Sequence, residues 1–222
     1  GLYRVDPDRG TWEPFHEHSE ICNPHVQFEP SRGEDILVQW NRGCRTDAEG
    51  RIVRLVGDEG ATLYVIDRNG ANERVLPVGK PLTTPASGHE CWIGTSGRIL
   101  LTTAEGNTYT VSPGDAACRL VCRGFLFVHI SVSLDGRFFV ADDFAHGRLY
   151  VGHIASGRLF PLCESASSCR WDRFFSQPHP YMTPDDKFVI FNSDVTGVGQ
   201  VWAAEIPAGF LDALADGPAG SP

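Results

Sequence analysis

The stretch Arg173-Phe-Phe-Ser-Gln-Pro-His-Pro-Tyr-Met-Thr-Pro-Asp-Asp-Lys-Phe-Val-Ile-Phe-Asn-Ser-Asp194 decides the fold. It has three parts. Ser176-Gln-Pro-His179 is a polar approach with two ligand-type side chains on alternate residues. Thr183-Pro-Asp-Asp186 is a turn, because proline presets φ and aspartate side chains bond to their own backbone. Phe188-Val-Ile-Phe191 is a β-rich apolar run of strand length. The same order recurs upstream. His129-Ile-Ser-Val-Ser-Leu-Asp-Gly136 leads into Arg137-Phe-Phe-Val-Ala-Asp142, and His25-Val-Gln-Phe-Glu-Pro-Ser-Arg-Gly33 leads into Asp35-Ile-Leu-Val-Gln-Trp40.

The spacing of these copies defines a period. His129 and His179 lie 50 residues apart and His25 and His129 lie 104 apart, so one more unit belongs between them. Gly88-His-Glu-Cys-Trp-Ile-Gly94 fills that place, followed by Ser96-Gly97 as turn and Arg98-Ile-Leu-Leu-Thr102 as strand. Each unit also carries a third strand: Thr62-Leu-Tyr-Val-Ile-Asp67, Asn107-Thr-Tyr-Thr-Val111, Arg148-Leu-Tyr-Val-Gly152 and Gln200-Val-Trp-Ala-Ala204. Turn residues follow, and then a fourth strand such as Glu73-Arg-Val-Leu76 or Arg158-Leu-Phe-Pro161.

Four short antiparallel strands repeated every ~40–50 residues define a β-propeller blade. No segment before the C-terminus keeps a 3.6-residue period, which disfavours crossover helices and a parallel sheet. An irregular sandwich does not account for the repeated unit. The reading is therefore an all-β propeller of four complete blades and part of a fifth. Gly1-Leu-Tyr-Arg-Val-Asp6 and Thr11-Trp-Glu13 fit the outer strands of the incomplete blade, so the propeller is expected to be a fragment of a longer one. It occupies residues 1–214, with a helical turn at 210–214 and a disordered tail at 215–222.

Composition bounds the rest. The 222 residues, 41% of them hydrophobic, suffice for a sizeable core. A formal net charge of −9 argues against nucleic acid or an anionic membrane as partner. A polyanionic substrate then needs a local basic patch, which Arg42, Arg45, Arg51 and Arg54, or Arg170 and Arg173, could form; scattered, solvated arginines are the alternative. The seven cysteines contain no C-x₂-C pair, so a structural zinc site is not expected. Free thiols in a reducing compartment are the simpler reading, placing the protein in the cytoplasm, with the periplasm left open.

In a propeller the innermost strand of each blade lines a central channel, so equivalent residues of successive blades point to one region. His25, His89, His129 and His179 all stand at the start of a first strand. Converging imidazoles suit a metal or catalytic centre, and a repeated structural histidine would give the same pattern. Gln177, two residues before His179, adds an amide oxygen on the same face. Glu90, Asp142, Asp143, Asp185 and Asp186 read as turn or supporting residues.

These blade starts, His25-Val-Gln-Phe-Glu-Pro30, Gly88-His-Glu-Cys-Trp92, His129-Ile-Ser-Val-Ser-Leu-Asp-Gly136 and Gln177-Pro-His-Pro-Tyr-Met-Thr-Pro-Asp-Asp186, resemble the oligogalacturonate lyases. The resemblance implies a seven-bladed propeller that cleaves short pectin-derived uronates by β-elimination with a divalent metal, manganese. It implies His89 as general base and His129 and His179 as metal ligands, with Gln177 beside them as a further ligand; Arg173, just before the ligand strand, could bind a second carboxylate or be a surface arginine. Gln177 stands where the resembled pattern has histidine, and Thr62 where it has arginine. The substrate implied is an acidic oligosaccharide. The rival reading is a propeller without catalysis that binds a sugar or a protein.

Overall fold

The computed structural model describes residues 1–123, 125–169 and 176–216. Within them the chain is a row of antiparallel sheets in chain order. The first holds β1 (Leu2–Asp6) and β2 (Thr11–His16). The second blade opens with β3 (Gln27–Phe28) and β4 (Asp35–Asn41), and a hairpin of β5 (Arg45–Thr46) and β6 (Ile52–Arg54) then leaves it. It resumes with β7 (Ala61–Asp67) and β8 (Arg74–Val75). The third contains β9 (Ala86–Trp92), β10 (Ile99–Thr103), β11 (Thr108–Val111) and β12 (Arg119–Cys122). The fourth contains β13 (Phe127–Val132), β14 (Phe138–Asp143), β15 (Arg148–His153) and β16 (Leu159–Glu164). The fifth contains β17 (Tyr181–Met182), β18 (Phe188–Ser193) and β19 (Gln200–Glu205), and the helix α1 (Phe210–Asp216) follows it.

The all-β propeller reading holds. Three details differ from the sequence expectation. Three blades have four strands, while the fifth has three among the described residues. Instead of a further strand, α1 packs on blade four: Phe210 meets Phe160 edge to face at 5.6 Å and Arg158 Nη2 donates to Ala213 O at 2.9 Å. The β5–β6 hairpin interrupts blade two and was not anticipated. The helix at 210–214 is present and runs on to Asp216, so residues 215 and 216 are helical; the rest of the expected tail lies outside the described residues.

The middle strands read as unbroken apolar runs because both their faces are covered. Side chains alternate along a strand, so odd and even residues enter different interfaces. Ile36 and Val38 join Leu2, Tyr64 and Ile66 between blades one and two. Leu37, Leu63 and Val65 face the other way, with Trp92, Ile99 and Leu101 between blades two and three. Leu100 turns to Phe127, Phe139, Ala141 and Tyr150 between blades three and four. Phe138, Val140, Leu149 and Val151 meet Met182, Val189, Phe191, Ile206 and Leu214 between blades four and five. Each such side chain contributes about 1.5–3 kcal/mol by leaving water.

The turns repeat as closely as the strands. In blade four Asp135 Oδ1 accepts from Ser133 Oγ at 2.7 Å and Arg137 N at 3.0 Å, and Gly136 has φ 74°. In blade five Asp185 Oδ1 accepts from Thr183 Oγ1 at 2.7 Å and Lys187 N at 3.3 Å, and Asp186 takes the glycine's place at φ 55°. Gly106 is needed for space as well: a Cβ there would meet Phe125 O at 1.7 Å with φ at 78°.

Candidate functional site

The four first-strand histidines meet. Ring centroids are 5.1 Å apart for His25–His89, 4.4 Å for His89–His129, 6.0 Å for His89–His179 and 3.6 Å for His129–His179. Two local devices aim them. His89 lies where the β9–β10 register shifts, and His129 where the β13–β14 register shifts. A bulge of this kind re-aims a side chain out of the regular alternation. His25 and His179 stand just before β3 and β17, both at φ 43°, a left-handed conformation uncommon for a residue with a Cβ.

The second pair is a repeat at atomic level. Asn23-Pro-His25 and Gln177-Pro-His179 hold the chain alike: Gln39 N donates to Pro24 O at 2.7 Å, and Asn192 N to Pro178 O at 2.8 Å. In each the amide side chain reaches the imidazole two residues on. Asn23 Nδ2 is 3.1 Å from His25 Nε2, and Gln177 Oε1 is 3.1 Å from His179 Nε2. Asn23 was missed as a site residue, although its X-Pro-His spacing is visible in the sequence.

His129 is the best-held ring. It is 3% exposed, its Nδ1 is 2.5 Å from Asp142 Oδ2, and its main-chain N–H donates to Asp142 Oδ1 at 2.8 Å. A carboxylate only accepts, so Nδ1 carries a proton, and Nε2 is the ring nitrogen turned away from Asp142. This is how metal-binding imidazoles are oriented. His89 differs. Burial first, and then the His129, His25 and His179 rings around it, hold its pKa down at about 3, so the ring is neutral.

Glu90 follows His89 on β9, and its carboxylate is buried beside His25. It is 4% exposed, His25 Nδ1 lies 3.9 Å from its Oε1, and its carboxylate oxygens accept no hydrogen bond among the described residues. Burial pushes its pKa up to about 8. Its backbone is fixed by Gln27 Nε2, which donates to Glu90 O at 2.6 Å.

Other candidates have ordinary partners. Arg51 pairs with Asp47 at 2.7 Å and Glu49 at 3.1 Å, and Arg54 with Asp58 at 2.8 Å. Arg42 donates to Gly60 O, Lys80 O and Glu59 O. Three of the four arginines proposed as a basic patch are thus committed within the β5–β6 excursion and its base. Thr62 donates to Val78 O at 2.5 Å. Arg170 and Arg173 lie outside the described residues. Asp143 caps its turn through Ala145 N and His146, and Cys22, Cys44, Cys91, Cys118, Cys122 and Cys163 carry free thiols. No helix among the described residues is long and apolar enough to cross a membrane.

Three cavities adjoin the cluster, of about 550 Å³ beside Gln177 and His179, about 390 Å³ beside His25 and His89, and about 680 Å³ reaching His25, His89 and His129. Among the described residues no three histidine, cysteine or carboxylate groups form a ready-made ligand set. The donor chemistry nonetheless suits a first-row divalent cation: an oriented imidazole in His129, the His179 imidazole, and the Gln177 amide oxygen beside it.

This is a β-propeller chain with a histidine cluster at the first strands of its blades. No family model matches the chain. It is 26% identical over 173 residues to an oligogalacturonate lyase of Dickeya dadantii, a match spanning 66% of this chain and 43% of that protein. It is 32% identical over 81 residues to an oligogalacturonide lyase of Pectobacterium atrosepticum, spanning 35% of this chain and 20% of that protein. A solved oligogalacturonate lyase in complex with manganese superposes with a TM-score of 0.68 at 21% identity, covering 94% of this chain and 55% of the other. The chain thus spans less than half the length of the curated relatives it matches, and it is related to the oligogalacturonate lyase family.

Proposed function

We propose that the protein carrying this chain is a lyase that cleaves short uronate oligosaccharides by β-elimination, with His89 as base. The observation that carries this reading is the meeting of His89, His129 and His179 from three successive blades at 3.6–6.0 Å between ring centroids. The relatives' names agree with it.

The chemistry is coherent with the residues. The C5 proton of a uronate is weakly acidic because the adjacent carboxylate resists further negative charge. A divalent cation, manganese in this proposal, held by His129, Gln177 and His179, would neutralise that carboxylate. His89 takes the C5 proton on its free ring nitrogen; the electron pair of the C–H bond becomes the C4–C5 double bond; the C4–O4 bond breaks and the leaving oxygen collects a proton. A neutral His89 has the lone pair this needs. Its basicity is low while it faces only other imidazoles and burial, and a uronate anion arriving beside it raises that basicity through charge. Asp142 keeps the His129 ring from turning. Arg173 is proposed to bind a second substrate carboxylate.

The test is ultraviolet absorbance of the unsaturated product, with short galacturonate oligomers and added manganese. His89→Ala is expected to lower turnover by roughly 10²–10⁴-fold while metal content stays. Full activity of that variant removes His89 from the mechanism. Binding of uronates without any turnover by the wild-type protein favours a sugar-binding module instead.

A further inference from the structure

The approach to His25 and the start of the β5–β6 hairpin are laced side by side. Asn41 N donates to Glu20 O at 3.0 Å, Asn23 N to Asn41 Oδ1 at 3.0 Å, and Gly43 N to Glu20 Oε1 at 2.6 Å. Cys44 is turned back onto this lacing, its N–H donating to Asn41 O at 2.9 Å. Cys22 stands between the two bridged residues Glu20 and Asn23, and its thiol lies within hydrogen-bonding reach of the Cys44 thiol. The Cys22 S–H is given to Leu55 O at 3.3 Å, where the hairpin returns. Both thiols are free and both residues are half-buried. Two chain segments pinned on either side of a thiol pair hold the sulfurs together without a covalent bond.

The two thiols have different surroundings. Cys44 lines a cavity of about 670 Å³, with Arg45 beside it. Burial, and then the Cys44 thiol, push the pKa of Cys22 up to about 11, so Cys22 stays protonated at neutral pH. Thiol–disulfide exchange begins with a thiolate that an oxidant can reach. That makes Cys44 the residue that meets the oxidant and Cys22 the one that closes the bond.

We propose that Cys22 and Cys44 form a reversible dithiol–disulfide site, oxidised by small disulfides of the glutathione type. Cys44 Sγ attacks one sulfur of glutathione disulfide, that S–S bond breaks, and one glutathione leaves as a thiol with the proton Cys44 gave up. Cys22 Sγ then attacks the Cys44 sulfur, loses its own proton and displaces the second glutathione as a thiol. Two protein S–H bonds are exchanged for one S–S bond, and one glutathione disulfide is reduced to two thiols. The new bond fastens the segment leading to His25 onto the base of the hairpin and withdraws the Cys22 hydrogen from Leu55 O. Cytosolic disulfides are commonly of this transient, redox-sensing kind. The site takes nothing from the residues given to the uronate or the cation, so it stands or falls apart from the lyase reading.

The test uses the protein as its gene encodes it. The folded protein is equilibrated at neutral pH with glutathione mixtures of rising disulfide content, quenched with acid, alkylated and mapped by mass spectrometry. The expected product is a pair of peptides joined between Cys22 and Cys44 that grows with the disulfide fraction and disappears in excess dithiothreitol. The joined protein should melt roughly 5 °C higher than the reduced one, because the bond constrains the unfolded chain and leaves the native lacing in place. Cys22→Ser cannot close the bond and should keep one glutathione on Cys44. The proposal is overturned if no joined pair forms in the folded protein, if it forms only after unfolding in urea, or if it lowers the melting temperature. A glutathione that stays on Cys44 in the wild-type protein as it does in Cys22→Ser overturns it equally.

Discussion

Asp142 holds His129 at two points, the ring Nδ1 at 2.5 Å and the main-chain N–H at 2.8 Å, and both residues are at least 97% buried. Removing the carboxylate leaves two buried donors without an acceptor. Asp142→Ala is expected to cost about 3 kcal/mol of folding stability, measured as a shift in the urea midpoint. It is also expected to lower manganese affinity roughly 10–100-fold, because the ring loses the partner that orients it. Unchanged metal binding in a variant that still folds takes His129 out of the ligand set.

Glu90 gives the protein a pH signature. Its pKa is about 8 in the folded state against an ordinary 4.5, so folding keeps a proton that the unfolded chain has shed between those values. The stability it contributes is therefore full below about pH 4.5 and falls as pH rises through 8. Between pH 6 and 8 the wild-type protein should lose about 1 kcal/mol per pH unit from this group. Glu90→Gln cannot titrate and should flatten that slope in urea titrations at pH 6, 7 and 8, whatever its absolute stability. The same slope in both proteins assigns the titration elsewhere.

His179 pays for its position with a φ of 43°. Asparagine tolerates this left-handed conformation better than most residues with a Cβ. His179→Asn is expected to keep stability within about 0.5 kcal/mol and to lower manganese occupancy and turnover together. Retained manganese with full turnover would show that His179 is not a ligand.

The inter-blade packing predicts a contrast. Leu100 is fully buried between blades three and four, and Leu134 is 74% exposed. Leu100→Ala should cost about 2–5 kcal/mol and Leu134→Ala less than about 0.5 kcal/mol. Gly106→Ala meets both a positive φ and the Phe125 carbonyl, and should cost about 3 kcal/mol. Denaturant midpoints of the three variants check the order.

Much of this was legible in the chain itself. Strand periodicity, turn residues such as Ser133-Leu-Asp-Gly136 and Thr183-Pro-Asp-Asp186, and the spacing of the histidines are local features. Local physics of backbone and side-chain capping fixes them, so the propeller and the candidate histidines could be read directly. The Asn23-Pro-His25 echo of Gln177-Pro-His179 is equally present in the sequence, but its chemistry shows only when both copies face one site.

Other features belong to the tertiary structure alone. Whether Ile36 and Leu37 enter the same or opposite interfaces depends on which sheets flank β4. The commitment of Arg42, Arg51 and Arg54 to nearby partners depends on the β5–β6 hairpin, which interrupts the repeat. The pairing of His129 with Asp142 and the burial of Glu90 depend on register shifts and on packing between blades. Sequence fixes which groups are available, because periodicity is a property of neighbours in the chain. Desolvation and hydrogen-bond partnership are set by residues tens of positions away, and only the packing of one blade on the next decides them.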